Sequence, residues 1–188
     1  MDTKMENSYI AKAIRTESIE GAKDRLGECI SDFSKLKEVL NTITTEIDAL
    51  KKFIYYGKSS IYVANDRLNL KLDVSDEQLR LLHAGLGMLT EAEEFLSPIV
   101  SSILNNRDLD LVNLKEELGD SMWYIAIACD VLGTTFEIEQ ERNITKLQQR
   151  YPEKFDRDKS INRDLVAERD ILEQLDKAGE SNEIYKTM

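Results

Sequence analysis

The chain has 188 residues, 36 of them acidic against 25 basic, for a formal net charge of −11. A surface of that sign repels phosphate backbones and anionic lipids, which argues against nucleic-acid or membrane partners but leaves room for a small polyanion bridged by divalent metal. Hydrophobic residues make up 41% and only 8 Gly and 2 Pro interrupt the chain, the composition of an all-α protein rather than a disordered or all-β one.

Residues 7–16 predict a short amphipathic helix with Tyr9, Ile10, Ala13 and Ile14 on one side. Neither this stretch nor any later one carries a signal core or the ~18 apolar residues of a membrane span, so a cytoplasmic location is expected. Cys29 and Cys129 stand far apart without metal-ligand spacing, and Cys129, inside an apolar run, is expected as a buried thiol. Ile30, Phe33, Leu36, Leu40, Ile43, Ile47, Leu50 and Ile54 recur at steps of three and four, one apolar stripe on a long helix over 28–56. Gly57 is its natural C-terminal cap.

Leu68, Leu70, Leu72 and Val74 alternate with polar residues, predicting an extended piece within 61–74. Ser75 and Gln78 form a capping box for a helix through Leu81, Leu82, Leu86, Leu89 and Leu96. That helix should kink or restart at Pro98, which cannot donate to the Glu94 carbonyl. Asp108 or Asp110 caps the next helix, 111–132, closed by Gly133, and its run from Met122 to Cys129 is apolar all round, the pattern of a helix buried on every side. Thr134 with Glu137 reads as a second capping box, for a helix to about residue 150 stopped by Pro152. A last helix over 164–177 ends at Gly179, with the remaining residues frayed.

Two acidic pairs stand out, Glu91 with Glu94 and Glu117 with Asp120, each spaced to share a helix face. A chain this acidic yields about seven such pairs by composition alone, so the spacing decides nothing without its context. The context is apolar: leucines surround the first pair, and the second precedes the Met122–Cys129 run. Carboxylates gathered in a bundle interior require a cation, and all-oxygen ligation selects a hard one, Mg²⁺ or Mn²⁺. Asn143, Lys146 and Arg150 line one face of a later helix, a solvated stripe unless a metal-bound phosphate lies beside it. Gly85 and Gly87 each weaken their helix by about 1 kcal/mol, which suggests a close helix approach or ligand access there.

Asn113-Leu114-Lys115-Glu116-Glu117-Leu118-Gly119-Asp120-Ser121-Met122-Trp123-Tyr124 resembles the signature helix of MazG-type nucleoside triphosphate pyrophosphohydrolases. The run from His83 to Leu96 is similar to the helix bearing that family's first carboxylate pair. Asn143 to Pro152 is similar to its closing phosphate-side segment, and Tyr9 to Thr16 to an N-terminal segment of some members. These segments share the pattern E-x-x-E, 22 residues, E-x-x-D, and the resemblance covers residues 83–155 well and 7–17 loosely. Three departures stand beside it. Glu93 replaces a glycine common in the family, Pro98 interrupts a helix that usually continues, and Asp48-Ala49-Leu50-Lys51-Lys52-Phe53-Ile54-Tyr55-Tyr56-Gly57-Lys58 resembles a segment that normally follows the first pair but here precedes it.

The resemblance implies one MazG-like helical bundle over 1–188, with a helical insertion at about 18–74, a core at 75–155 and a C-terminal helix at 160–179. It also implies Mg²⁺-dependent hydrolysis of a nucleoside triphosphate to monophosphate and pyrophosphate by a homodimer or homotetramer. Glu91, Glu94, Glu117 and Asp120 would hold metal, with Glu94, or else Glu91, activating water. Asn143, Lys146 and Arg150 would touch phosphate. His83, Tyr124, Arg15 and Lys58 are further candidates for substrate contact. Two alternatives stand beside this reading. One is a dUTPase-like, dCTPase-like or phosphoribosyl-ATP pyrophosphatase member of the same superfamily; the other is an inert helical interaction protein built on the 28–56 stripe.

Overall fold

The structure, a computed structural model, describes residues 8–57 and 73–181. Lys58, the segment expected to be extended through Leu68, Leu70 and Leu72, and the C-terminal residues expected to fray lie outside them. The described residues form seven helices and no strand: α1 Tyr9–Ile14, α2 Ala22–Tyr56, α3 Asp76–Asn105, α4 Leu111–Leu132, α5 Phe136–Arg150, α6 Arg157–Ile161 and α7 Leu165–Ser181. None of them is long and apolar enough to cross a membrane. The contacts divide the chain into two compact units, Gly21–Thr134 and Met1–Glu20 with Thr135–Met188.

In the first unit α3 is the central rod, with α2 on one side and α4 on the other. Both neighbours run antiparallel to it. Tyr55 of α2 donates to the Leu79 carbonyl at the start of α3, while Lys37 donates to Ser101 near its end. Arg80 pairs with Asp130, joining the start of α3 to the end of α4. The helix ends follow local chemistry. Ser75 and Gln78 make both halves of the capping box, and Asp110 accepts from the Val112 and Asn113 amides. Gly57 and Gly133 close α2 and α4 with φ of 70° and 65°, the left-handed region where a side chain is strained. Cys129 is buried.

Several expectations are corrected. The third helix does not restart at Pro98 but runs through it to Asn105; flanking packing against α2 and α4 holds it together despite the missing hydrogen bond. The cap of α5 is Thr135 rather than Thr134, with its hydroxyl accepting from the Ile138 amide. The last helix passes Gly179 and ends at Ser181, and the short α6 precedes it. The larger difference is rotational. Leu36, Ile43 and Ile54 of the α2 stripe are exposed, Ile43 to 48%, whereas Thr44, Ala49 and Lys51 are buried. Helix α2 therefore turns a mixed, partly polar flank toward α3. Helix α4 is likewise not buried on every side: Tyr124 and Cys129 face inward, but Met122 and Trp123 are exposed.

In the second unit α5 packs against α7 and α1. Its centre holds Ile144, Tyr151 and the buried Glu168. Glu168 accepts from Arg150 through two bonds of 2.7 Å, one to each oxygen, and from Arg163. This double pairing holds the Glu168 carboxyl down at about 2, mainly through the Arg150 hydrogen bonds, and raises the Arg150 guanidinium.

Candidate metal and active site

The geometry of the first unit brings Glu91 of the first acidic pair together with both members of the second. Glu91 lies on the inner face of α3, and Glu117 and Asp120, one turn apart, lie on α4, which runs antiparallel beside it. One oxygen from each of the three lies within 4.8 Å of the others. Glu91 and Glu117 are each only 7% exposed, whereas Asp120 is open to solvent. Glu94, one turn along α3, is exposed and does not belong to this trio. It is close enough to act on the others electrostatically. Burial and then the Glu91 charge push Glu94 above the ordinary carboxylate range; burial, then Glu94 and Glu91, do the same to Glu117.

The clustered charge calls for a cation, and the donor set suits a hard one. Two oxygens on one Mg²⁺ stand about 3.0 Å apart when adjacent and about 4.2 Å apart when opposite, so Glu91, Glu117 and Asp120 would draw together, by up to about 2 Å, to share an ion. No nitrogen or sulfur ligand competes within the group.

A cation of the chain's own already borders this cluster. Lys51, on α2, is only 5% exposed. Its ammonium donates to the Thr90 hydroxyl at 2.9 Å and to the Tyr124 hydroxyl at 3.1 Å. Asp48 lies 3.4 Å from it and Glu91 3.9 Å. Burial works against its charge, but the Tyr124 hydrogen bond and Asp48 outweigh that and keep Lys51 above its ordinary range. Thr90 Oγ1 also lies 2.9 Å from the Gly87 carbonyl and 3.3 Å from Glu91 Oε1. The sequence reading missed Lys51, Asp48 and Thr90 as site residues. The available signal was a lysine placed four residues after Ile47 and three before Ile54, where an apolar stripe has no use for a charge.

Gly87 explains how the rods come so close. A Cβ there would lie 2.1 Å from Tyr124 Cε1, so the ring rests on the α3 backbone. Gly85, by contrast, meets nothing. Around Tyr124 the aromatic side chains gather. His83 stacks on Tyr55 with centroids 4.0 Å apart and meets Trp123 and Tyr124 edge-on. Its Nε2 is buried with no hydrogen-bond partner among the described residues, and burial, aided by the Lys51 charge, lowers its pKa.

The remaining candidates belong to the second unit. Asn143 accepts from the Tyr9 hydroxyl at 3.4 Å, Arg15 donates to the Glu153 carbonyl, and Arg150 is engaged by Glu168.

Residues 82–155 match the family model described as the MazG nucleotide pyrophosphohydrolase domain. Over that segment the chain is similar to MazG domains. The match contains Glu91, Glu94, Glu117, Asp120, Asn143, Lys146 and Arg150, while Lys51 and Asp48 come from outside it. Searches of curated proteins and of solved structures found no match. The match points to the nucleotide pyrophosphohydrolase class, and the acidic trio that lies within it has the donor set for a divalent metal.

Proposed function

We propose that the protein hydrolyses nucleoside triphosphates to monophosphate and pyrophosphate in the presence of Mg²⁺, with Mn²⁺ as a substitute. The observation that supports this most is the convergence of Glu91, Glu117 and Asp120 oxygens within 4.8 Å inside the MazG-matching segment. When bound, the metal supplies charge neutralisation for the polyphosphate and polarises the attacking water. Glu91, Glu117 and Asp120 would hold it. Glu94, exposed beside the trio and with its pKa raised, suits the general base that takes the proton of water as the oxygen attacks the α-phosphorus and the bond to the β-phosphate oxygen breaks.

Lys146 and the Asn143 amide, in the second unit, are the phosphate contacts that the family resemblance implies. Arg150 is a poorer one, since two hydrogen bonds already commit it to Glu168. Tyr124 is buried and bound to Lys51, so its exposed neighbour Trp123 offers the better stacking surface for a base. The exposed Leu36, Ile43 and Ile54 of α2 support assembly as a homodimer or homotetramer.

Pyrophosphate release measured over a panel of ribo- and deoxyribonucleoside triphosphates, with and without Mg²⁺, tests the reading and separates it from the dUTPase, dCTPase and phosphoribosyl-ATP alternatives. Metal-dependent release is expected from at least one substrate. Glu117→Gln and Asp120→Asn should each abolish it while the helical circular dichroism signal stays unchanged. No release from any substrate, or full activity in both variants, would overturn the proposal.

A further inference from the structure

Lys51 is a buried lysine outside the MazG-matching segment, and its ammonium lies 3.9 Å from Glu91 at the back of the acidic trio. It cannot easily leave. Thr90 and Tyr124 accept from it, Asp48 pairs with it, and the Tyr124 ring passes beneath it at 5.1 Å. Each of these partners comes from a different place: Asp48 from the turn before on α2, Thr90 from α3 and Tyr124 from α4. The charge is therefore fixed in the structure before any ion arrives. We propose that Lys51 is a resident counter-ion that stabilises the metal-free carboxylate cluster and weakens its hold on a free divalent cation, so that uptake of the ion depends on the polyphosphate arriving with it.

The sign follows from distances. An ion bound to the Glu91 carboxylate oxygen nearest Lys51 at about 2.1 Å lies no farther than about 6 Å from the ammonium. Even at the dielectric of water, charges of one and two at that separation repel enough to change affinity about tenfold, and a half-buried site responds more strongly. A triphosphate brings about four negative charges, which compensates for the repulsion. A lysine that merely held Glu91 in place would have the opposite signature: its removal would loosen the site and weaken metal binding.

The inference rests on the metal reading of the proposed function but not on turnover, so it is tested with metal alone. Free Mn²⁺ is counted by electron paramagnetic resonance during titration of the wild-type chain, Lys51→Met and Lys51→Gln, without nucleotide; folding is followed by circular dichroism. Both variants should bind Mn²⁺ about tenfold more tightly than wild type. Unchanged or weakened binding overturns the proposal. If the variants are unfolded without metal, recovery of the helical signal on adding Mn²⁺ supports the counter-ion role, and failure to recover it overturns that role. Mn²⁺ binding to neither wild type nor folded variants would instead sink the metal site itself. Absent pyrophosphate release with the Mn²⁺ result intact would count against the enzymatic reading alone.

Discussion

Gly87 admits no side chain, because even a methyl group would enter the Tyr124 ring. Gly87→Ala should cost about 1–3 kcal/mol in thermal or urea unfolding, the range for overfilling a packed contact. Glu168 makes the opposite kind of demand, since it is needed rather than excluded. Glu168→Gln removes a buried anion between two guanidinium groups and should destabilise by about 3 kcal/mol. Folding lowers the Glu168 pKa from its ordinary value to about 2, so its contribution is present above the unfolded value and is lost as pH falls from about 4.5 toward 2. Acid titration of stability should therefore flatten in the Gln variant across that window. Glu94 and Glu117 have the reverse sign: folding raises both, so at neutral pH their crowding costs stability that protonation returns. Divalent metal at saturating concentration should return it at neutral pH, raising the melting temperature of the wild type more than that of Glu117→Gln.

Among the elements, α3 carries an internal proline. Pro98→Ala restores a donor to the Glu94 carbonyl and should stabilise the chain by about 1–3 kcal/mol in unfolding experiments. The helices themselves were legible in the sequence because their punctuation is local: Ser75, Asp110, Gly57 and Gly133 act within one turn of their own backbone. The acidic pairs were legible for a similar reason, each lying within four residues on one helix. What local pattern does not carry is the rotation of one helix about its axis against another. The apolar stripe of α2 predicted an inward face through Ile43 and Ile54, yet these residues are exposed and Lys51 is buried. The contribution of Lys51 depends on Thr90 and Tyr124, residues 39 and 73 positions away, which no periodicity can reveal. The Thr134 cap was misplaced by one residue because two adjacent threonines offer the same chemistry.

For the whole molecule, the exposed Leu36, Ile43 and Ile54 lie on one side of α2 as an apolar strip suited to a second copy of the chain. Sedimentation should show a dimer or tetramer, and Ile43→Lys should shift it toward the monomer while leaving helical content in place. Scale also matters at the contact between α3 and α4. Tyr124 lies one turn past Asp120, and Gly87 one turn before Glu91, so the flat face of a single benzene ring acts as a feeler gauge between the two acidic ledges. The gap between Glu91 and the Glu117–Asp120 turn is thereby tied to the thickness of a carbon ring. A wider spacer at that point would part the ledges with all three carboxylates still in place.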